Sequence, residues 1–189
     1  MRNNESEAYY NGEIFTAFDI ETTGLDNRRD HIVEIGAVRF NKDGVIECFA
    51  TLIDPGVPMP AAASQVNNIT DKMLSGQPVI QEAMPAFLDF INGTIVLAHN
   101  VPFDCGFINN GLSRLYDDGY VPFPALPNRV IDTLPMARKL LPGKTHYNLQ
   151  ALSASLGFKA KAAHRAADDA RLCMELFVYM VRTCFRQPV

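Results

Sequence analysis

The sequence predicts an α/β domain, a mixed sheet flanked by helices, and two patterns carry that expectation. The early part of the chain alternates apolar and polar residues around turn signals, and the later part alternates short apolar runs with stretches of helical period. Strands joined by short connections form an antiparallel meander. Strands separated by helices lie parallel, so the combination gives a mixed sheet with helices on its faces.

The elements follow in order. Phe15 to Glu21 is the first predicted strand, and HIVEIGAVRF and VIECFATLID are two more, divided by the turn signal NKDG. VIQEAMPAFLDFI has helical period, TIVLAHN is a short apolar strand, and VPFDCGFINNGLSRLY is helical again. The Pro-rich VPFPALPNR reads as a loop, and RVIDT as the last strand. Helices follow in TLPMARKLL, NLQALSASLG and HRAADDARLCMELFVYMVR, with Asn148 as an N-cap and Gly157 as a C-terminal stop. No internal repeat, low-complexity tract or linker interrupts the pattern.

A chain of 189 residues with 48% hydrophobic and 20% charged residues suits one domain with a substantial core. The expected domain spans 13–184, between a loose polar N-terminus over 1–12 and a short tail over 185–189. MRNNESEAYY has no apolar core or cleavage site, and no later run approaches the ~18 to 20 apolar residues of a membrane span. The expectation is a cytoplasmic protein with no membrane partner. Cys48, Cys105, Cys173 and Cys184 form no CxxC pair and sit in apolar patterns, which reads as reduced core thiols.

The formal net charge of −4 does not advertise a nucleic-acid binder. From Thr133 to Ala167, however, there is no acid, while Arg138, Lys139, Lys144, Lys159, Lys161 and Arg165 fall there. Such a stretch either forms a local basic surface able to hold a phosphate chain or is a set of scattered solvated cations.

The acids are more informative. In a strand over Phe15 to Glu21, side chains alternate, so Phe15, Ala17, Asp19 and Glu21 share one face and Ile14, Thr16, Phe18 and Ile20 the other. Two carboxylates on one face repel, and burying them uncompensated is expensive, so the arrangement asks for a cation. In the helix after TIVLAHN, Asp104 lines up with Phe107, Ile108, Gly111, Leu112 and Leu115, the inward stripe. The competing reading is an N-terminal Asp that helps to cap that helix. In the last helix, Asp169 lines up with Leu172, Cys173, Leu176, Phe177 and Met180, whereas Asp168 lines up with Arg171, Glu175 and Arg182. Asp169 is therefore expected to face the core, and Asp168 to face water, support the helix start and pair with Arg171.

Asp19, Glu21, Asp104 and Asp169 can thus converge at one end of the sheet. An oxygen-rich site without cysteine suits Mg²⁺ or Mn²⁺ rather than structural zinc. Two divalent ions would neutralise the four acids, and removing four acids from a formal charge of −4 leaves zero for the rest of the protein. Ion pairs ~3.5 to 4 Å apart activate water and stabilise the leaving oxygen in phosphodiester cleavage. Of His31, His99, His146 and His164, only His164 stands by position near such a site, five residues before Asp169. Histidine ordinarily titrates near neutrality, which suits a general base.

FDIETTGL, AHNVPFD and HRAADDA, in this order and at these separations, resemble the three motifs of the DnaQ-like, DEDDh subgroup of 3′-to-5′ exonucleases, typified by the epsilon proofreading subunit of bacterial DNA polymerase III. The resemblance runs from about Ile14 to Met180 and includes IVEIGAVRF, NITDKML, DTLPMARKLLPG and LQALSASLGF. It implies a ribonuclease H-like fold with a five-stranded mixed sheet in the order 3-2-1-4-5. It also implies that Asp19 bridges two metals, that Glu21 and Asp169 complete one site and Asp104 the other, and that His164 is the general base. Thr22, Thr23 and Gly24 would present backbone and hydroxyl groups to the terminal nucleotide, Leu25 would wedge against its base, and Phe103 would pack on its sugar or base. Asn100 would order the strand-to-helix loop, and His99 is taken as structural.

The sequence departs from the family at Asn68, where many relatives have glycine, a change tolerated if that backbone is left-handed. It also lacks the long C-terminal extension by which the enterobacterial epsilon subunit grips its polymerase, so a free-standing enzyme is expected as readily as a polymerase subunit. The leading expectation is an exonuclease that releases nucleoside monophosphates from single-stranded or frayed DNA 3′ ends. The alternatives are an RNA 3′-end trimmer with the same chemistry and a catalytically silent end-binding module.

Overall fold

The computed structural model describes residues 4–161 and 164–185. In chain order the elements are α1 (Asn4–Tyr10), β1 (Phe15–Thr22), β2 (Ile32–Asn41), β3 (Gly44–Leu52), α2 (Ala61–Asn67), α3 (Asp71–Leu74), α4 (Ile80–Ile91), β4 (Ile95–Ala98), α5 (Val101–Asp117), β5 (Val130–Asp132), α6 (Thr133–Leu140), α7 (Leu149–Ser155) and α8 (Ala166–Cys184). The five strands form one sheet in the order β3-β2-β1-β4-β5. β1 pairs antiparallel with β2 and β2 with β3, whereas β1 pairs parallel with β4 and β4 with β5. The mixed sheet expected from meander followed by alternation is the one observed.

Alternation along β1 divides the core. Phe18 and Ile20 pack with Met84, Phe87 and Ile91 of α4 and with Phe107, Ile108 and Leu112 of α5. Phe15 and Ala17 pack on the opposite face with Leu172, Leu176, Phe177 and Met180 of α8. Asp19 and Glu21 continue that second face, so the strand aims them towards the start of α8.

Several expectations are corrected. The N-terminal stretch is not loose over its described part: α1 is a helix whose Tyr9 is 1% exposed, ringed by Phe15 and Phe177 and joined through its hydroxyl to Arg182 Nε at 3.1 Å. A short, mostly polar segment carried no visible core signal, but one aromatic anchor is enough to dock it. Residues 1–3 and 186–189 lie outside the described residues, and Phe185, expected at the start of a tail, is buried. Cys48 is exposed rather than core, because β3 is the sheet's edge and most of it stays open to solvent, whereas Cys105 and Cys173 are buried. The short helices α2 and α3 carried no periodic signal in sequence. Asn68, the C-cap of α2, has φ 58°, the left-handed conformation its substitution for glycine required.

Candidate active site

The site is built at the ends of β1 and β4 by two helices that arrive from opposite faces of the sheet. α8 begins directly above β2, where Gly36 faces Asp19 across the β1–β2 ladder. A Cβ on residue 36 would lie 2.5 Å from the Ala166 carbonyl oxygen and closer still to the Ala167 nitrogen, so only glycine admits the helix at this height. The close approach delivers Asp169, in the first turn of α8, to the β1 acids. Among the described residues, Asp19, Glu21 and Asp169 form a group in which one carboxylate oxygen from each lies within 4.8 Å of the others.

Asp104 comes from the first turn of α5 on the other face and is 3% exposed. Its carboxylate accepts its own N–H and that of Ile20, which pins the helix start to β1. It stands outside the three-acid group yet is close enough to Asp19 to raise that residue's pKa.

Burial is the main cause of every carboxyl shift here, with mutual repulsion added. Asp19 is held well above the usual carboxylate range by burial and then by Asp104, Asp169 and Glu21. Burial and Asp169 push Glu21 to about 8, and burial pushes Asp104 to about 7. Asp169 is pushed to about 6 by burial, against the lowering influence of His164 and of a hydrogen bond from Gln150. Four carboxyls that resist ionisation in one place make a hard, oxygen-only donor set, and their chemistry fits divalent Mg²⁺ or Mn²⁺.

These shifts fix the sign of a pH effect. Acids whose folded pKa lies above the unfolded value keep protons that the unfolded chain releases, so stability falls as pH rises from about 4 through the folded values near 6, 7 and 8. In EDTA the melting temperature is expected to be higher at pH 5.5 than at pH 8. Mn²⁺ or Mg²⁺ added at pH 8 should reverse the loss, as a calorimetric scan at the two pH values will show.

His164 precedes α8 in a left-handed conformation, φ 58°, and its N–H donates to Asp169. The helix itself starts at Ala166, with Arg165 as the N-cap residue. His164 is exposed and near enough to Asp169 to lower that carboxyl's pKa.

The loop after β1 departs from expectation. Thr22 Oγ1 donates to the Gly24 carbonyl at 2.6 Å, and Thr23 Oγ1 accepts the His31 N–H at 2.9 Å. Both hydroxyls are therefore engaged in shaping the loop rather than free for a nucleotide. Gly24 lies against Asp30, where an added Cβ would come 2.7 Å from Oδ1, and Leu25 is 86% exposed at the loop tip. Phe103 is half-buried with its ring 5.2 Å from that of Phe107. Asn100, φ 78°, donates its N–H to Asp132 Oδ1 at 3.1 Å, which orders the turn into α5. His99 sits between Thr133 Oγ1 at 2.9 Å and the Tyr147 carbonyl at 2.7 Å, and burial lowers its pKa, as a structural histidine requires.

The exposure expected of Asp168 is corrected, since it is 8% exposed rather than solvent-facing, while its expected pairing with Arg171 is present. Arg171 Nη2 holds Oδ1 at 2.7 Å and the Lys161 N–H donates to Oδ2 at 2.6 Å. Helical periodicity did not anticipate that the incoming chain lies over the outer face of α8. Asp168→Asn is expected to lower stability by roughly 2 kcal/mol, since it removes one of the two carboxylates on a largely buried Arg171, leaving Glu175 at 2.6 Å, while catalysis per folded molecule stays within a few-fold. Urea denaturation alongside turnover will separate the two effects.

Four residues bear on the site that motif reading passed over. Asn67, buried in α2, hydrogen-bonds Glu21, and Gln150 of α7 donates to Asp169 Oδ1. Glu34 of β2, directly across from Glu21, binds Arg165 and the Ala166 N–H. A lone acid inside the apolar run IVEIGAV was the one legible signal among these. Arg165 is thereby withdrawn from the basic stretch, whereas Arg138, Lys139, Lys159 and Lys161 remain exposed.

An exonuclease family model, RNase T, matches residues 16–177. The chain is 46% identical over 169 residues to the DNA polymerase III subunit epsilon of Treponema pallidum (strain Nichols), covering 88% of this chain and 76% of that protein. It is 38% identical to the PolC-type DNA polymerase III of Clostridium perfringens (strain 13 / Type A), covering 87% of this chain but only 11% of that much longer polymerase. Among solved structures, Exonuclease X in complex with 5′-overhanging duplex DNA superposes with a TM-score of 0.72 at 25% identity, covering 89% of this chain and 92% of that one. Exonuclease I of E. coli, bound to a dT13 oligonucleotide, superposes with a TM-score of 0.76 at 19% identity over 91% of this chain and 41% of that one, a likeness of fold.

Proposed function

Because the chain belongs to the RNase T family of exonucleases, we propose that it degrades DNA from the 3′ end, releasing nucleoside 5′-monophosphates as a proofreading-type partner of a replicative polymerase. The observation that carries this reading is the group of Asp19, Glu21 and Asp169, with Asp104 beside it and His164 on the turn that leads to Asp169.

Asp19, Glu21 and Asp169 would hold one divalent ion, and Asp19 with Asp104 a second. When bound, such ions supply a water of lowered pKa and neutralise charge on the leaving oxygen. The protein's own part is positional. Asp104, fixed by the Ile20 N–H, and Asp169, fixed by Gln150, keep their carboxylates from turning away, so the donor set is preorganised. His164, exposed at the mouth of the site, accepts the proton of the attacking water. Leu25, standing out from the loop behind the acids, meets the terminal base, and the half-buried ring of Phe103 offers an apolar surface for its sugar. Support for DNA comes from relatives that are subunits or parts of DNA polymerase III.

The test is digestion of 3′-blocked and unblocked single-stranded oligomers, as DNA and as RNA, with Mg²⁺, Mn²⁺ or EDTA. Stepwise shortening of the unblocked DNA alone, stopped by EDTA, is expected. Faster loss of the RNA would move the substrate class to RNA 3′ ends, and binding without shortening would leave an end-binding module.

A further inference from the structure

Beside the four acids of the site lies a fifth carboxylate with different partners. Glu34 is 3% exposed and faces Glu21 across the β1–β2 ladder, but its oxygens are saturated by donors from the start of α8. Arg165 Nη2 reaches Oε1 at 2.8 Å, Arg165 Nε reaches Oε2 at 3.1 Å, and the Ala166 N–H reaches Oε2 at 3.1 Å. A carboxylate so engaged is a clamp rather than a metal ligand.

The clamp grips the residue that follows His164. A left-handed conformation costs a side-chain-bearing residue about 1 to 2 kcal/mol and persists only where the surroundings over-determine it. His164 has that conformation, at φ 58°, and among the described residues the contacts that hold it include the Asp169 carboxylate on its own N–H and the Glu34 fork on its neighbour. Gly36, two residues along β2 from Glu34, lets the helix sit low enough for the fork to close.

We propose that Glu34 and Arg165 are positioning residues for the nuclease reaction: their ion pair latches the turn before α8 so that the His164 ring is presented to the site. The catalytic half of this inference rests on the proposed role of His164, and the structural half does not. Glu34→Gln shortens nothing but removes the charge that grips Arg165. It is expected to lower kcat by about tenfold or more, as small misplacements of reacting groups do, with KM for an oligonucleotide unchanged within about twofold. In a His164→Ala background the same substitution should cost less than about twofold in residual kcat, because residues acting through one group are non-additive.

Amide hydrogen exchange of the metal-free protein reads the latch without any turnover. The His164 N–H should exchange about tenfold faster in Glu34→Gln, with the amides of β1 and β4 unchanged. Arg165→Lys, which keeps a charge at a half-exposed position but loses the fork, serves if Glu34→Gln does not fold, and should show the same pattern. An equal loss of kcat with and without His164, or unaltered exchange at His164, overturns the latch. If the wild-type protein proves inactive on every oligomer, exchange at His164 still decides it, so failure of the latch and failure of the nuclease reading give different results.

Discussion

Asp19→Asn is expected to lower kcat by about a thousandfold or more while making the metal-free protein harder to melt. The two effects have one origin. Asp19 feels all the other acids: its carboxyl is raised by burial and then by Asp104, Asp169, Glu21 and Glu34. Metal-centred charge stabilisation is worth several kcal/mol, and at about 1.4 kcal/mol per factor of ten its loss is about a thousandfold. The same substitution removes a carboxyl that must either ionise among like charges or hold a proton that the unfolded chain would release. At pH 8 in EDTA the variant should therefore melt above the wild type, with the gap closing at pH 5.5, where the site acids hold their protons. Mn²⁺ should stabilise the wild type more than the variant. An Asp19→Asn protein that melts below wild type in EDTA at pH 8 would contradict the electrostatic account of the site.

Gly36→Ala is expected to be nearly as damaging through sterics alone. The new methyl would meet the backbone of Ala166 and Ala167, which cannot rotate aside as a flexible side chain can. Lifting the start of α8 separates Asp169 from Asp19 and Glu21 and breaks the reach of Arg165 to Glu34. Overpacking costs about 1 to 3 kcal/mol of stability, and a displacement near 1 Å costs about a hundredfold in rate. Gly111→Ala in α5 is the control, because its Cβ would meet only the terminal Cε of Met84, at 3.3 Å. That substitution should leave activity intact and gain helix propensity. Denaturation and single-turnover cleavage of both variants will show whether the effect belongs to the site or to glycine in general.

Much of the site was legible because its signals are local. A strand's period of two put Asp19 and Glu21 on one face with Phe15 and Ala17, and the helical period put Asp104 and Asp169 on apolar stripes, where the structure finds them buried. The same rule erred for Asp168, since periodicity describes a helix alone and not the chain laid across its outer face. It also gave no hint of α1, whose place depends on Tyr9 meeting Phe15 and Phe177 from distant parts of the chain. The threonines after Glu21 belong to a recognisable motif, yet their hydroxyls turn inward to build the loop.

From the chain's own order of residues came the mixed α/β architecture, the four acids, the histidine before the last helix and the family, because each is written in spacing along one element or in a contiguous motif. The packing of distant segments settled the rest: Gly36 beneath α8, Glu34 gripping Arg165, Gln150 on Asp169 and Asn67 on Glu21. In each of these contacts the partners are remote in sequence, and no period along a single strand or helix encodes which carboxylate will be held, and by what, once the sheet and its helices close.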